Sequence, residues 1–184
     1  MLKKIVIIGP ESTGKSTLCQ HLAAHYDARF QSDWCPEYAR EYLLRNGMNY
    51  SYEDLLEIAK GQLALEDEKC RLLTEKAGGE DALFFIDTDM MVMKVWCEFV
   101  FGKCHSFILD QLASRRYDYY FLCNTDIPWV KDELREYPDL HTRQQLFNMY
   151  HDMLVNQDTL WTVVSGSEES RLKKAIATVD DFLS

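Results

Sequence analysis

Apolar residues run four deep at Ile5-Val6-Ile7-Ile8, and short runs recur at Leu83–Ile86, Tyr119–Cys123 and Leu160–Val164, with a weaker one at Ala28–Ser32. Each is the length of a strand, and unbroken apolar runs suit strands covered on both faces. Between them the period changes. Leu55, Leu56, Ala59, Leu63, Leu65, Leu72 and Leu73, set amid charges, give Tyr52–Glu75 the spacing of a long amphipathic helix that Gly61 weakens slightly. Ser51 followed by Asp54 supplies a capping start, because a hydroxyl can accept from an N–H that the first turn leaves unpaired. Met90–Phe101 and Glu168–Leu183 read as two further helices. Strands alternating with helices predict right-handed crossovers and a parallel five-stranded α/β sheet with helices on both faces. Ligands of such sheets sit beyond the carboxyl ends of the strands, so the residues just after each apolar run carry the candidate chemistry.

After the first run comes Gly9-Pro-Glu-Ser-Thr-Gly14-Lys15-Ser16-Thr17, the spacing G-x-x-x-x-G-K-S between a strand and a probable helix. This loop curls so that backbone N–H groups point inward, and the following helix aims its positive end at the same anion. Gly9, Glu11, Ser12, Thr13, Gly14, Lys15, Ser16 and Thr17 are therefore candidates to cradle a triphosphate, with Lys15 on the β/γ-phosphates and Ser16 on Mg²⁺. A P-loop NTPase fold follows. The destination of the phosphate does not, because switches, motors and small-molecule kinases share this loop. A guanine-specific switch would carry N-K-x-D after the fourth run and D-x-x-G after the third; Asn124-Thr125-Asp126-Ile127 and Asp87-Thr88-Asp89-Met90 match neither.

The other run ends supply acids, bases and aromatics. Asp87 follows the third run and would hold Mg²⁺ or take the proton of an acceptor hydroxyl, while Asp89 either faces the acceptor or caps the helix Met90–Phe101. After the second run, Pro36 suits the first turn of a helix, which sets Glu37 at its start and Arg40 one turn later on the same face. Glu37 would bind sugar hydroxyls or act as general base, and Arg40 would bind phosphate or orient Glu37, unless the two form a solvated ion pair. After the fourth run, Pro128-Trp129 opens a charged segment to Arg143 that suits a helical lid over about 128–143. Arg135 and Arg143 are its candidates for the charge that phosphoryl transfer develops, although a solvent-facing helix explains either alone. After the fifth, Gly166 in Ser165-Gly166-Ser167 admits a flat ring such as adenine, with Arg171 close by. Trp34, Tyr38, Trp96 and Trp129 are the aromatics available to an acceptor ring.

Composition narrows the partners. The 184 residues contain no Pro/Gly/Ser-rich linker, which suits one domain over 1–184. Twenty basic residues, scattered along the chain, stand against 30 acidic ones, giving −10 at pH 7 and disfavouring DNA or RNA as partner. Lys3-Lys4 before a four-residue apolar run makes no secretory core, and no segment reaches the length of a membrane span, so a cytoplasmic, membrane-free protein is expected. Cys19, Cys35, Cys70, Cys97, Cys104 and Cys123 show neither a C-x-x-C pair nor metal-knuckle spacing, as expected of reduced thiols.

Four blocks together resemble the ribosylnicotinamide kinase domains of the NadR type: Gly9–Thr17, Pro36-Glu37-Tyr38-Ala39-Arg40-Glu41, Phe85-Ile86-Asp87-Thr88-Asp89, and Pro128-Trp129-Val130-Lys131-Asp132 with Arg135. The first block is shared by many families; the second and third are more specific. The resemblance implies a fold similar to nucleoside monophosphate kinases, and ATP-dependent phosphorylation of the ribose 5′-hydroxyl of nicotinamide riboside to nicotinamide mononucleotide. It puts Lys15 and Ser16 on triphosphate and Mg²⁺, Asp87 on metal or base duty, Glu37 and Asp89 on the acceptor, and Arg135 and Arg143 in the lid. In the family a tryptophan directly precedes the glutamate, where it can stack on the nicotinamide ring; here Pro36 stands there and the nearest tryptophan is Trp34. The phosphate loop begins at residue 9 with no adenylyltransferase segment in this sequence, so this chain by itself is not expected to make NAD. A kinase for another nucleoside or a nucleoside monophosphate, the latter held by Arg40, and an ATP-binding regulator whose lid a partner reads are the competing expectations.

Overall fold

A computed structural model describes Met1–Ser184. Five strands, β1 (Leu2–Ile8), β2 (Gln31–Cys35), β3 (Ala82–Asp87), β4 (Tyr119–Cys123) and β5 (Leu160–Val164), form one all-parallel sheet in the order β2-β3-β1-β4-β5. Seven helices connect and flank them: α1 (Lys15–Tyr26), α2 (Tyr38–Asn46), α3 (Tyr52–Ala77), α4 (Met90–Phe101), α5 (Ser106–Ser114), α6 (Leu140–Val155) and α7 (Glu168–Phe182). Alternate side chains of the central strands feed opposite cores, as the two-residue period of a strand requires. Ile5, Ile7, Leu83 and Phe85 pack with α1 and α7, whereas Val6, Ile8, Phe84 and Ile86 pack with α4 and α6. A third core joins α2, α3, α4 and α5 around Leu55, Ile58 and Met93. No helix is long and apolar enough to cross a membrane.

The helix signals read from the sequence carry over closely. Ser51 caps α3 in a capping box: its hydroxyl accepts from the Asp54 N–H, and Asp54 accepts from the Ser51 N–H at 2.7 Å. The second strand lies later than the apolar run suggested. Residues 28–30 belong to a turn in which Arg29 and Phe30 donate to the last-turn carbonyl of Tyr26, and β2 starts only at Gln31. Its polar Gln31, Ser32 and Asp33 hid it, because they break the apolar run even though Ser32 is buried. Pro36 likewise precedes the helix; Glu37 is the extended N-cap residue of α2, which begins at Tyr38. The segment expected to form the lid is loop from Pro128 to Asp139, and helix begins at Leu140, where the Asp139 carboxylate caps α6 by accepting from Thr142 N–H. Pro138 explains the delay, since the residue before a proline is pushed out of helical geometry.

Gly61 is a requirement and not a flaw in α3. A Cβ there would lie 2.0 Å from the Tyr38 ring, so only glycine lets α2 dock this closely. Gly61→Ala is expected to cost about 1–3 kcal/mol through overpacking. Thermal unfolding would register this as a loss of about 2–4 °C per kcal/mol, smaller when Tyr38→Ala is combined with it.

Candidate active site

Loops leaving β1, β2 and β4, together with α4 and α6, surround a cavity of about 490 Å³ at the carboxyl edge of the sheet. The phosphate loop Gly9–Thr17 forms one end. Gly9 has φ +145°, and a Cβ would sit 2.8 Å from Cys123 O, so the loop enters where β1 and β4 leave no room for a side chain. Ser12 and Thr88, neither a glycine, hold positive φ at +56° and +75°. Such strain collects where surrounding structure fixes a functional backbone, here at the loop and after Asp87. The Thr13 hydroxyl and Lys15 Nζ both donate to Pro10 O, at 2.7 and 3.1 Å, closing the loop on itself.

The acids sit around Lys15. Asp87 ends the fully buried β3, is itself 0% exposed, and accepts a hydrogen bond from the Ser16 hydroxyl. Glu37, at the N-terminus of α2, lines the cavity along with Lys15. Burial pushes both carboxyls above their ordinary range, and in each case the Lys15 ammonium is the chief opposing influence. One cation thus keeps two desolvated acids ionisable, an arrangement common where proton transfer and charge neutralisation are needed.

Aromatic and apolar side chains also line the cavity. Val92, Trp96 and Phe99 project from one stripe of α4, Leu146 and Tyr150 from one stripe of α6, and Trp34 from β2. Only the tryptophans among these were picked out in the sequence, although the spacings of four and three along α4, and of four along α6, carried the signal. The loop Pro128–Asp139 forms a strap that adds Asp132, Leu134, Arg135, Glu136 and Tyr137 to the wall. Arg40 also lines the cavity and is held by the strap's Asp132 through two contacts of 2.9 and 3.3 Å, while Arg135 donates to Val130 O at 2.5 Å.

Other expected residues lie elsewhere. Asp89 takes the capping alternative: it is 0% exposed, accepts from Met91 and Val92 N–H and from the Tyr120 hydroxyl, and does not line the cavity. Burial pushes its carboxyl up to about 6. Tyr38 turns against Gly61 and donates its N–H to Gln62. The Trp129 indole donates to Glu11 and is not in the wall. Arg143 is buried beneath the phosphate loop, with Nη2 reaching Ser12 O and Ile127 O, its Nε without a partner, and burial lowering its pKa. Arg171 directs its guanidinium to Thr13 O, Asn124 O, Gly166 O and Asp126, fastening the phosphate loop to the loops after β4 and β5. It also borders a small recess with Gly14, Thr17 and His21, in which Gly166 takes no part. Gly166, at φ +87°, gives its N–H to Asp126.

The parallel sheet, the phosphate loop after its central β1 and the covering strap define an α/β protein of the P-loop kinase fold. The chain belongs to the AAA domain family, whose model matches residues 4–171. It is 25% identical to the trifunctional NAD biosynthesis/regulator protein NadR of Escherichia coli K12 over 183 residues, 99% of this chain and 43% of that protein, and equally so to that of Salmonella typhimurium LT2. The chain therefore spans less than half the length of these curated relatives. Its fold superimposes on NadR crystallised with NR (TM-score 0.72, 21% identity, 98% of this chain, 50% of the other) and with NAD and AMP-PNP (0.69, 20%, 98% and 49%). A thymidylate kinase from Ehrlichia chaffeensis aligns along nearly its whole length (0.71, 13%, 97% and 98%). The NadR-type resemblance carried by the four sequence blocks thus recurs across the whole chain.

Proposed function

We propose that residues 1–184 act as one cytoplasmic kinase unit that transfers the γ-phosphoryl group of ATP to the ribose 5′-hydroxyl of nicotinamide riboside, giving nicotinamide mononucleotide and ADP. The supporting observation is one cavity lined both by the phosphate loop and by aromatic side chains, with Lys15 and Glu37 among its lining residues. The likeness to NadR, one structure of which contains NR, supports this choice of acceptor.

In this reading the loop N–H groups and Lys15 bind the triphosphate, and Trp34 and Trp96 flank the acceptor ring. Glu37, which lines the cavity along with Lys15, receives the hydroxyl proton as the oxygen bonds to phosphorus and the bond to the ADP oxygen breaks. Burial raises its pKa, which makes this carboxylate a stronger base than an exposed glutamate. Arg135 faces the charge that spreads over the transferring oxygens. Ser16 and Asp87 fit Mg²⁺: a hydroxyl and a carboxylate adjoin at the loop, and no group of three or more His, Cys, Asp or Glu competes as a metal cage. That sparse donor set matches an ion that is otherwise held by substrate phosphates and water. When bound, it would neutralise charge on the phosphates.

ADP release measured with a panel of ribonucleosides, deoxyribonucleosides and nucleoside monophosphates tests the acceptor. Nicotinamide riboside is expected to give the highest kcat/KM. A rate at background with it, beside a clear rate with another acceptor, would reassign the substrate.

A further inference from the structure

The phosphate loop does more than face phosphate: its Glu11 side chain points into the strap. Glu11 Oε1 accepts from Trp129 Nε1 at 2.9 Å and Tyr137 N–H at 2.7 Å, and Oε2 accepts from Glu136 N–H at 2.9 Å. The neighbouring Ser12 hydroxyl accepts from Val130 N–H at 3.0 Å, and Ser12 O accepts from the buried Arg143. Four donors from both limbs of the strap therefore converge on two adjacent loop residues. From that anchorage the strap reaches the acceptor side through two polar links. Asp132 grips Arg40 of α2, and the Glu136 carboxylate accepts from Tyr50, which in turn accepts from Trp96 Nε1 of α4.

We propose that Glu11 is a positioning residue, the tie by which the phosphate loop holds the strap against the acceptor end of the cavity. A carboxylate suits the task better than an amide. Each of its oxygens is acceptor-only, and both meet N–H donors; a glutamine with its Oε1 in place would keep Trp129 and Tyr137 but turn its own N–H group toward the Glu136 N–H. Hydrogen bonds to a charged acceptor are also stronger than neutral ones. The tie joins the donor loop to Leu134, Glu136 and Tyr137, which line the acceptor wall, so it acts on acceptor affinity through the strap.

Two readouts on Glu11→Ala and Glu11→Gln test this in the full chain. Limited trypsin digestion with the cut sites identified by mass spectrometry reports the strap, because Lys131 and Arg135 lie within it. Cleavage there is expected to speed up by about 10-fold in Glu11→Ala and by less in Glu11→Gln, as local opening sets access. In steady-state kinetics the acceptor KM is expected to rise by ~10-fold in Glu11→Ala, with a smaller change in the KM for ATP, and Glu11→Gln to fall between. Wild-type cleavage rates in Glu11→Ala would overturn the proposal. So would a rise in the KM for ATP as large as that for the acceptor, since it would place Glu11 on the phosphates. The kinetic arm rests on the kinase reading and the digestion does not: faster cleavage in a chain with no phosphotransfer to any acceptor would sink that reading and leave the tie standing.

Discussion

Lys15→Ala is expected to reduce turnover by roughly 10³-fold or more, the scale at which fixed charges act on developing negative charge in a shielded site. Two losses combine. The ammonium no longer stabilises the β/γ-phosphates, and Glu37 and Asp87 lose the cation that chiefly counters their desolvation. Both carboxyls then move further up and become protonated over more of the pH range, so the residual activity is expected to need a more alkaline pH than the wild type. Lys15→Arg is expected to restore little, because its longer planar head cannot take the place of a point charge that now folds back to Pro10 O. A pH–rate profile of Lys15→Ala that matched the wild-type rate and midpoint would remove Lys15 from the mechanism.

Asp87→Asn is expected to separate activity from stability. Turnover should fall by roughly 10²-fold or more, because the site loses the carboxylate that adjoins Ser16 and would hold the metal. Thermal stability should rise. The Asp87 carboxyl is 0% exposed and is pushed upward by burial, so its ionised form is costly in the folded state. Replacing the carboxyl by a neutral amide removes that cost, and each kcal/mol gained would appear as about 2–4 °C in the melting temperature of a chain of this size. The sign of the pH dependence is fixed. A carboxyl raised on folding adds stability below its unfolded pKa, and that stability is lost as pH rises through its folded value. Asp87→Asn lacks this titration, so its advantage over wild type should be largest at neutral pH and fade toward pH ~4. Calorimetry across that range would show it; an advantage that grew on acidification would contradict the burial account.

Much of this site was legible because chemistry lay next to strand ends. Gly9–Thr17 and Asp87 follow continuous apolar runs, and a parallel sheet places such residues on one edge regardless of the rest of the chain. What escaped had a different cause. The Gln31–Cys35 strand lies at the sheet edge, and its polar Gln31, Ser32 and Asp33 break the apolar run. Leu146 and Tyr150 lie on α6, where an apolar stripe has the same appearance whether it meets the core or a cavity. Asp89 shows the reverse problem: a carboxylate two residues beyond Asp87 reads as a site residue until Met91, Val92 and Tyr120 are seen to surround it. Glu11 carried no sequence signal for the strap, since Trp129, Glu136 and Tyr137 are more than a hundred residues away and meet it only through the fold.

In the proposed reaction the phosphate loop and the aromatic-lined cavity serve one phosphoryl transfer. Mass spectrometry of the products formed from nicotinamide riboside and Mg²⁺-ATP tests it most directly. Nicotinamide mononucleotide and ADP are expected in equal amounts, with the phosphate on the 5′-oxygen; ADP accompanied by inorganic phosphate and unchanged riboside would contradict the proposed transfer.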